Sequence, residues 1–508
     1  MPALPFPEPS RPIMTLAFHM MPLVGTILLL ASRRVSLLTA GLAGMTLAFV
    51  TMIVARAPLA GIPDMAGLTM AAAKAGEGAW LAWHAMSIIA AGLLFHRAYE
   101  ARGIRAAAIA QENRRRAVFV ACFLVGPFAE SVTGFGVGLV VALAMLRHMG
   151  LPPVQAAALG LFSQVLAAWG AMGVGTRVGA ELIGVSFTEL GTASALLMAV
   201  VLPCLLPVFW GLIHSCGLRS ALRDRAGDVA LLLCLAGLIW LTNRFVAPEL
   251  GGGLATGVLL VLVEGPRLLR SDAGPRMAMS GLMERLWPYV LLIAALMATR
   301  LLPPLSDWTG RWLVLDPFGG LAPLALLRHP ATWLVVIAAI LLAGLPTAKA
   351  GEVVRGALRA ALVPMAATLV FVEFAAFMAA SGGAAMFGQA WRETAGRFAV
   401  LATPVFGGAA GMLTGSNTAS NALMMHIQLS LAAESGLPPM LTAAIQTVSG
   451  SICTMLTPGR IVLAAGLVGL QQAEGAIYRR ALPIGLATIL SLLAVVVLVA
   501  GAKAWGLA

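Results

Sequence analysis

The sequence predicts an all-α polytopic membrane protein with about 12 transmembrane helices in two repeat-related halves, some of them broken or re-entrant. Of its 508 residues, 60% are hydrophobic and only 11% are charged, and the mean hydropathy is +0.93. A soluble protein carries about 25% charged residues because water must wet its surface. The apolar residues also form continuous runs of about 20, which favours spanning helices over barrel strands of alternating polarity.

The elements follow this plan in order along the chain. Residues 1–12 contain five prolines, which predicts an extended tail. The apolar run that follows is too long for the core of a signal peptide, so we expect it to remain in the protein. A first transmembrane half is predicted at 13–264, a polar basic linker at 265–285, and a second transmembrane half at 286–508. The clearest spans are residues 13–31, 37–55, 82–95, 193–213, 229–241 and 481–500.

The basic residues lie in short segments between the apolar runs and give a formal net charge of +12. Arg33 and Arg34 follow the first span, and six arginines between residues 97 and 116 follow the third. The positive-inside rule then predicts an N-terminus outside, and we expect a bacterial-type inner (plasma) membrane. This distribution does not indicate a nucleic-acid partner.

The two halves share a weak internal repeat, which favours duplication and hence a secondary transporter. Each half has a Thr-Gly pair, then Gly-Leu-Pro-Pro, then a serine and finally an arginine. Chance is the alternative, because the chain has 55 glycines and 29 prolines. The paired positions are Thr133-Gly134 and Thr414-Gly415, 150–153 and 436–439, Ser163 and Ser449, and Arg177 and Arg460.

A first polar cluster interrupts an apolar stretch at residues 126–138, GPFAESVTGFGVG. Its glycine density predicts a helix that breaks and restarts, which a membrane tolerates only inside protein or beside water. The restarted half-helix would present a partial positive charge suited to a carboxylate. Glu130 could be a proton carrier, a cation partner or a structural hydrogen-bonding residue, and an intramembrane glutamate favours the functional roles.

A second and a third cluster lie in the other half. Residues 414–421 hold six small polar side chains, which predicts another half-helix start facing the first. In residues 446–460, Arg460 either pairs with a carboxylate or caps a helix end at the membrane surface, and the same two alternatives hold for Arg177. Glu373, His84 and His426 are weaker candidates for functional residues. The five cysteines lack metal-ligand spacing, so we expect no metal and no cofactor.

The three clusters resemble the lactate permease family, whose members carry lactate and glycolate with protons. The family pattern reads E-G-A-A-G-F-G in the first half, then T-G-S-D-T-S-S-N-A-L, then G-K-M-I-S-P-Q-S-I. This chain has Glu130 followed by GFG at 134–136, then TGSNTASNAL at 414–423 and MLTP at 455–458. The resemblance covers motif order over roughly residues 82–470.

The resemblance implies a secondary transporter, not an enzyme, that imports a small monocarboxylate such as lactate or glycolate with a proton. Its partners would be the anion, protons and the lipid bilayer, and a homo-oligomer is left open. Glu130 would bind the proton, and the polar tips would hold the substrate. The candidate substrate- or proton-binding residues are Glu130, Thr133, Gly134, Phe135, Gly136, Ser163, Thr414, Gly415, Ser416, Asn417, Ser420, Asn421 and Arg460.

Three departures from the family pattern concern charge. Asn417 stands where the pattern has Asp, Thr454 where it has Lys, and Arg460 where it has Ser. One hypothesis is that a compensated acid–base pair is lost while an arginine restores positive charge for the anion. The alternatives are a transporter of another organic anion, a channel, or an intramembrane enzyme with Glu130 and His426 as an acid/base pair.

Overall fold

The computed structural model describes residues 12–56, 65–103, 113–268, 275–470 and 472–504. The predicted tail, apart from Pro12, lies outside these ranges. Helix dominates throughout, and the one small sheet in the described part pairs two-residue strands in an antiparallel manner, β1 (Val314–Leu315) with β2 (Leu324–Ala325). The all-α membrane fold predicted from composition is confirmed.

Eleven α-helices fall in the described part of the first half. α4 and α5 form one continuous span through a π-helical turn at Ala121–Val125. The helices are α1 (Pro12–Ser32), α2 (Leu37–Arg56), α3 (Met65–Ala101), α4 (Arg114–Val120), α5 (Gly126–Thr133), α6 (Val137–His148), α7 (Pro153–Gly160), α8 (Gly170–Leu182), α9 (Phe187–His214), α10 (Leu222–Phe245) and α11 (Gly251–Leu268).

The second half continues with ten α-helices and the two short strands. Its helices are α12 (Pro275–Leu301), α13 (Pro303–Arg311), α14 (Pro330–Ala343), α15 (Thr347–Ser381), α16 (Gly383–Ala395), α17 (Ala402–Thr414), α18 (Asn417–Ser435), α19 (Pro439–Cys453), α20 (Pro458–Leu467) and α21 (Glu474–Ala504). The 3-10 turns of both halves are Leu161–Gln164, Ala167–Trp169, Pro248–Leu250, Gly396–Leu401 and Thr454–Leu456.

Within the described residues, nine helices are long and apolar enough to cross a membrane, or up to 13 if each of four bent pairs is one span. The predicted number of about 12 falls in this range. The predicted span at 82–95 is part of the longer α3, because the helix continues through less apolar residues on both sides.

The structure corrects the predicted linker at 265–285. Residues 265–268 are the end of α11, and 275–285 are the first turns of α12, which leaves 269–274 outside the described part. Pro275 is the first residue of α12, a position where proline is favoured because its missing N–H is not needed. The prolines here mark helix ends, and a long loop was the wrong interpretation.

The two halves repeat one packing contact at matching positions, which supports the predicted duplication. Gly126 lies seven residues before Thr133, and a Cβ added to it would lie 2.5 Å from Cβ of Ser163. Gly407 lies seven residues before Thr414, and a Cβ there would lie 2.1 Å from Oγ of Ser449. Both serines follow the second proline of their Gly-Leu-Pro-Pro motif by ten residues. The same close helix contact is therefore built from the same motif positions in each half.

Matching helix breaks follow these contacts. The pair Pro153–Gln164 and Ala167–Leu182 bends by 52°, and the pair Pro439–Leu456 and Pro458–Leu467 bends by 45°. Irregular backbone of this kind within a membrane-spanning segment must line a cavity or be buried in protein.

Candidate functional site

The first break separates α5 from α6 at three consecutive residues with positive φ: Gly134 (72°), Phe135 (58°) and Gly136 (85°). α5 ends where the Gly134 N–H donates to the Glu130 carbonyl at 2.8 Å. Glycine adopts this left-handed backbone without a steric penalty, but phenylalanine does not. Strain of this kind concentrates at functional sites, and the Phe135 side chain is exposed and borders a cavity.

The Glu130 carboxylate occupies the N-terminus of the restarted helix α6. It accepts the Gly136 N–H at 3.2 Å and the Gly138 N–H at 3.0 Å, and its side chain is buried. Gly138 must be glycine here, because an added Cβ would lie 2.4 Å from the Gly126 carbonyl oxygen. The predicted break and the predicted position of Glu130 beside it are both present.

The second break separates α17 from α18 at Gly415, which has φ of 66°. The Thr414 hydroxyl donates to the Ala410 carbonyl at 2.8 Å, as the Thr133 hydroxyl does to Ala129 at 2.6 Å. Ser416 is the N-cap of α18 and accepts the Ala419 N–H at 3.4 Å. The predicted half-helix start at 414–421 is therefore found, with its N-terminus open to the same cavity.

A third break, at the start of α8, was missed from the sequence. Ala171, Met172 and Gly173 have φ values of 48°, 59° and 73°, so three residues in a row are left-handed. The signal that could have found it is the glycine density of GAMGVG at 170–175, which matches that of the first break. Arg177 follows on the same helix.

A cavity of about 400 Å³ lies where the three breaks meet. Glu130 and Arg460 are its only charged residues among those the structure describes. Its lining residues are Ser36, Leu37, Leu38, Ile89, Glu130, Gly134, Phe135, Ala167, Gly170, Ala171, Val174, Gly175, Val363, Pro364, Ala367, Thr368, Thr414, Gly415, Ser416, Asn417, Thr418, Ala419, Thr454 and Arg460.

The position of Arg460 on α20 decides between the two roles expected from the sequence, pairing with a carboxylate or capping a helix end. Its Nη1 lies 3.7 Å from Oε1 of Glu130, and its side chain is largely buried. It therefore pairs with a carboxylate across the two halves and does not cap a surface helix end. Nη1 makes no hydrogen bond with any described residue, which leaves a donor for a bound anion.

Asn417 is the other cavity residue with unused polar atoms. Both Oδ1 and Nδ2 are buried without a hydrogen-bond partner among the described residues. A buried amide left unpaired costs roughly 1–3 kcal/mol, so a ligand that pairs it recovers that free energy. A carboxylate oxygen would accept from Nδ2, and a hydroxyl would donate to Oδ1.

Eight of the thirteen predicted site residues line the cavity, and the other five lie outside its lining. Thr133 and Gly136 belong to the first break, and Ser163 packs on Gly126. The five that do not line the cavity are Thr133, Gly136, Ser163, Ser420 and Asn421.

Ser420 and Asn421 hold neighbouring helices in place instead. Ser420 Oγ accepts from Gln446 Nε2 at 3.1 Å, and Asn421 Nδ2 donates to the Gly175 carbonyl at 2.9 Å. Ser36 and Thr368 are polar lining residues that the sequence did not single out. His426 does not line the cavity, so an acid/base pair with Glu130 is not assembled there.

The sequence is similar to known transport proteins over most of its length. The model of the L-lactate permease family matches residues 16–309 and 319–503. The L-lactate permease of Salmonella typhimurium strain LT2 is 25% identical over 418 residues, covering 72% of this chain and 74% of its own. That of Bacillus subtilis strain 168 is 23% identical over 430 residues, covering 72% and 75%. The YdaH transporter structure of Alcanivorax borkumensis aligns over 95% of this chain and 99% of its own, with 18% identity and a TM-score of 0.43, too slight a likeness to fix the fold.

Proposed function

Because this chain belongs to the L-lactate permease family, as a divergent member of these membrane transporters, we propose that it imports a small monocarboxylate together with a proton. The substrate class would be a 2-hydroxy acid such as lactate or glycolate. The observation that carries the proposal is a cavity of about 400 Å³ that is lined by both halves and has, among the described residues, one acid–base pair.

The cavity offers a matching partner for each group of such a substrate. Arg460 can bind the carboxylate with its planar guanidinium. The N-terminus of α18 also borders the cavity and adds partial positive charge. The unpaired Asn417 amide and the neighbouring hydroxyls can bind the 2-hydroxyl group. A residue set of this kind recognises the carboxylate and hydroxyl together.

Proton coupling follows from competition for Arg460. In the empty cavity Arg460 and Glu130 sum to zero charge, so an anion entering the cavity adds an uncompensated charge. If the substrate carboxylate binds Arg460, Glu130 loses its positively charged partner and becomes the group that binds a proton. The loaded cavity is then neutral again, which suits passage through the midplane of the bilayer. The moving unit would be one helix bundle relative to the other around this site.

The test is uptake of radiolabelled L-lactate and glycolate into proteoliposomes, with and without an inward proton gradient. We expect saturable uptake that the gradient stimulates, and Glu130→Gln should lower the stimulated rate by on the order of tenfold or more, equivalent to about 1.4 kcal/mol. Glu352→Gln is the matched control, because Glu352 is exposed on α15.

Failure of the wild type to take up either acid while it remains folded would remove the substrate assignment. The search would then move to other organic anions, which Asn417, Thr454 and Arg460 already favour as departures from the family pattern. Unsaturable uptake that ignores the gradient would indicate a channel. We also propose a bacterial-type inner membrane location with the N-terminus outside, since the arginine distribution supports that orientation.

A further inference from the structure

A second group of buried titratable residues lies beyond the substrate cavity, with Arg177 and Glu181 on α8 and His84 on α3. Glu181 Oε1 lies 3.7 Å from Arg177 Nη1 and 3.8 Å from His84 Nδ1. The side chains of His84 and Glu181 are 1% and 8% exposed, so both are buried more deeply than nine-tenths. They approach each other just beyond hydrogen-bonding length.

These groups have polar atoms that no described residue satisfies. Both carboxylate oxygens of Glu181 and both ring nitrogens of His84 are buried without a hydrogen bond in the described part of the chain. By contrast, Glu130 accepts two backbone N–H groups. A neutral imidazole already has one N–H that could donate to a carboxylate, and the pair can take up one further proton, on the second imidazole nitrogen or on the carboxylate.

Other ionisable groups lie nearby: the Arg328 carbonyl accepts from Arg300 Nη2, and Glu373 on α15 packs beside Gly78 of α3. On α12, Arg300 pairs with Glu249, with Nε 3.1 Å from Oε1, and so neutralises it. His329, at the start of α14, stacks edge-on to His84 with ring centroids 5.9 Å apart. Arg177 and Glu181 cancel each other while His84 is neutral. One added proton therefore gives the group of His84, Arg177 and Glu181 a net charge of +1.

We propose that His84 and Glu181 form a second proton-binding site that controls how well the cavity accepts an anion. The proposal rests on the transport function proposed above. α8 links the two sites, because Val174 and Gly175 line the cavity and Arg177 and Glu181 follow on the same helix. The six residues from Gly175 to Glu181 span about 9 Å of helix rise.

The charge acts on the anion through this short separation. A unit charge at about 10 Å and an effective dielectric constant of about 20 changes anion binding on the order of tenfold. Arg177 has two partners: it pairs with Glu181 when that carboxylate is charged, and it also lies over the Phe187 ring at 4.8 Å, which can hold it when the carboxylate is neutral. Protonation should therefore favour substrate loading.

The experiment is radiolabelled L-lactate exchange in proteoliposomes preloaded with unlabelled L-lactate, at equal pH on both sides, over a range of about pH 5 to 8. The wild type should exchange faster at low pH. Glu181→Gln leaves Arg177 uncompensated and imitates the protonated site, so its exchange should stay at the acid rate at every pH. His84→Gln leaves the Arg177–Glu181 pair intact, so its exchange should stay low, by on the order of tenfold, until a more acidic pH.

His148→Gln, an exposed histidine at the end of α6, is the matched control and should keep the wild-type profile. The proposal is overturned if both variants keep the wild-type pH profile, if the wild type has no pH dependence, or if both folded variants lose exchange at every pH. Should Glu181→Gln fail to fold, His84→Gln decides alone, since it leaves the ion pair in place. Absence of any wild-type exchange would instead refute the proposed substrate.

Discussion

Asn417 and Thr454 border one cavity although 36 residues separate them in sequence. At these two positions the lactate permease pattern has Asp and Lys, so the structure places both lost charges in the same space. The Thr454 hydroxyl donates to the Ser451 carbonyl at 2.6 Å, which satisfies it without a counter-ion. A neutral pair therefore stands where the family pattern has a charged pair, and Arg460 with Glu130 is the acid–base pair among the described residues that line the cavity.

We predict that restoring the family residues at 417 and 454 acts non-additively. Asn417→Asp alone should weaken L-lactate uptake, because it adds a negative charge beside the anion, and Thr454→Lys alone should disturb the Arg460–Glu130 pair. The double variant should recover, with a coupling of roughly 0.5–3 kcal/mol between neighbouring sites. A double-mutant cycle on the uptake KM measures this, and additive effects would show that the two positions do not interact.

At the scale of elements, α8 and α18 pack through two glycines facing two asparagines. A Cβ added to Gly175 would lie 2.6 Å from Asn417 Nδ2, and one added to Gly179 would lie 2.8 Å from Asn421 Nδ2. Both pairs are four residues apart, so they lie on one face of each helix. Small residues at this spacing let helix backbones approach closely in membranes. The contact joins the broken helix of one half to the polar tip of the other.

Gly179→Ala should therefore destabilise the protein by about 1–3 kcal/mol through overpacking. It should also lower transport, because Asn421 holds the Gly175 carbonyl beside the cavity. Gly237→Ala is the control, since Gly237 lies on α10 with nothing within 4 Å of an added Cβ, and it should be neutral. Thermal unfolding in detergent compares the two, and an equal melting temperature would contradict this packing role.

The sequence alone predicts those structural elements that have a local sequence pattern. Continuous apolar runs predicted the long helices, and the clusters GFG and TGSN predicted the two Thr-Gly breaks, because glycine and small polar residues are needed where a helix stops and restarts. The break at 171–173 was missed, although GAMGVG is rich in glycine, because two of its three left-handed residues, Ala171 and Met172, are of types that rarely adopt that backbone. That conformation depends on the tertiary packing of Ala171 and Met172, which are both buried.

At the scale of the whole molecule, the cavity forms where the two halves meet. Glu130 and Gly134 come from the first half, and Thr414, Asn417 and Arg460 from the second. The sequence predicts this contact between the two halves only through the repeat, because no local pattern indicates which residues of one half contact which residues of the other. The pairing of Arg460 with Glu130, the supporting place of Asn421, and the approach of His84 to Glu181 all depend on tertiary contacts.

The measurement that tests most directly whether this cavity binds the anion is calorimetric titration of the detergent-solubilised protein with L-lactate. The wild type should bind, and Arg460→Gln should lose about 1.5–3 kcal/mol, the contribution of hydrogen bonds to a charged group. Arg355→Gln, an exposed arginine on α15, should bind as the wild type does. The double variant with Glu130→Gln removes the carboxylate left unpaired and should remain weak. Unchanged affinity in folded Arg460→Gln would place the anion elsewhere and contradict the account.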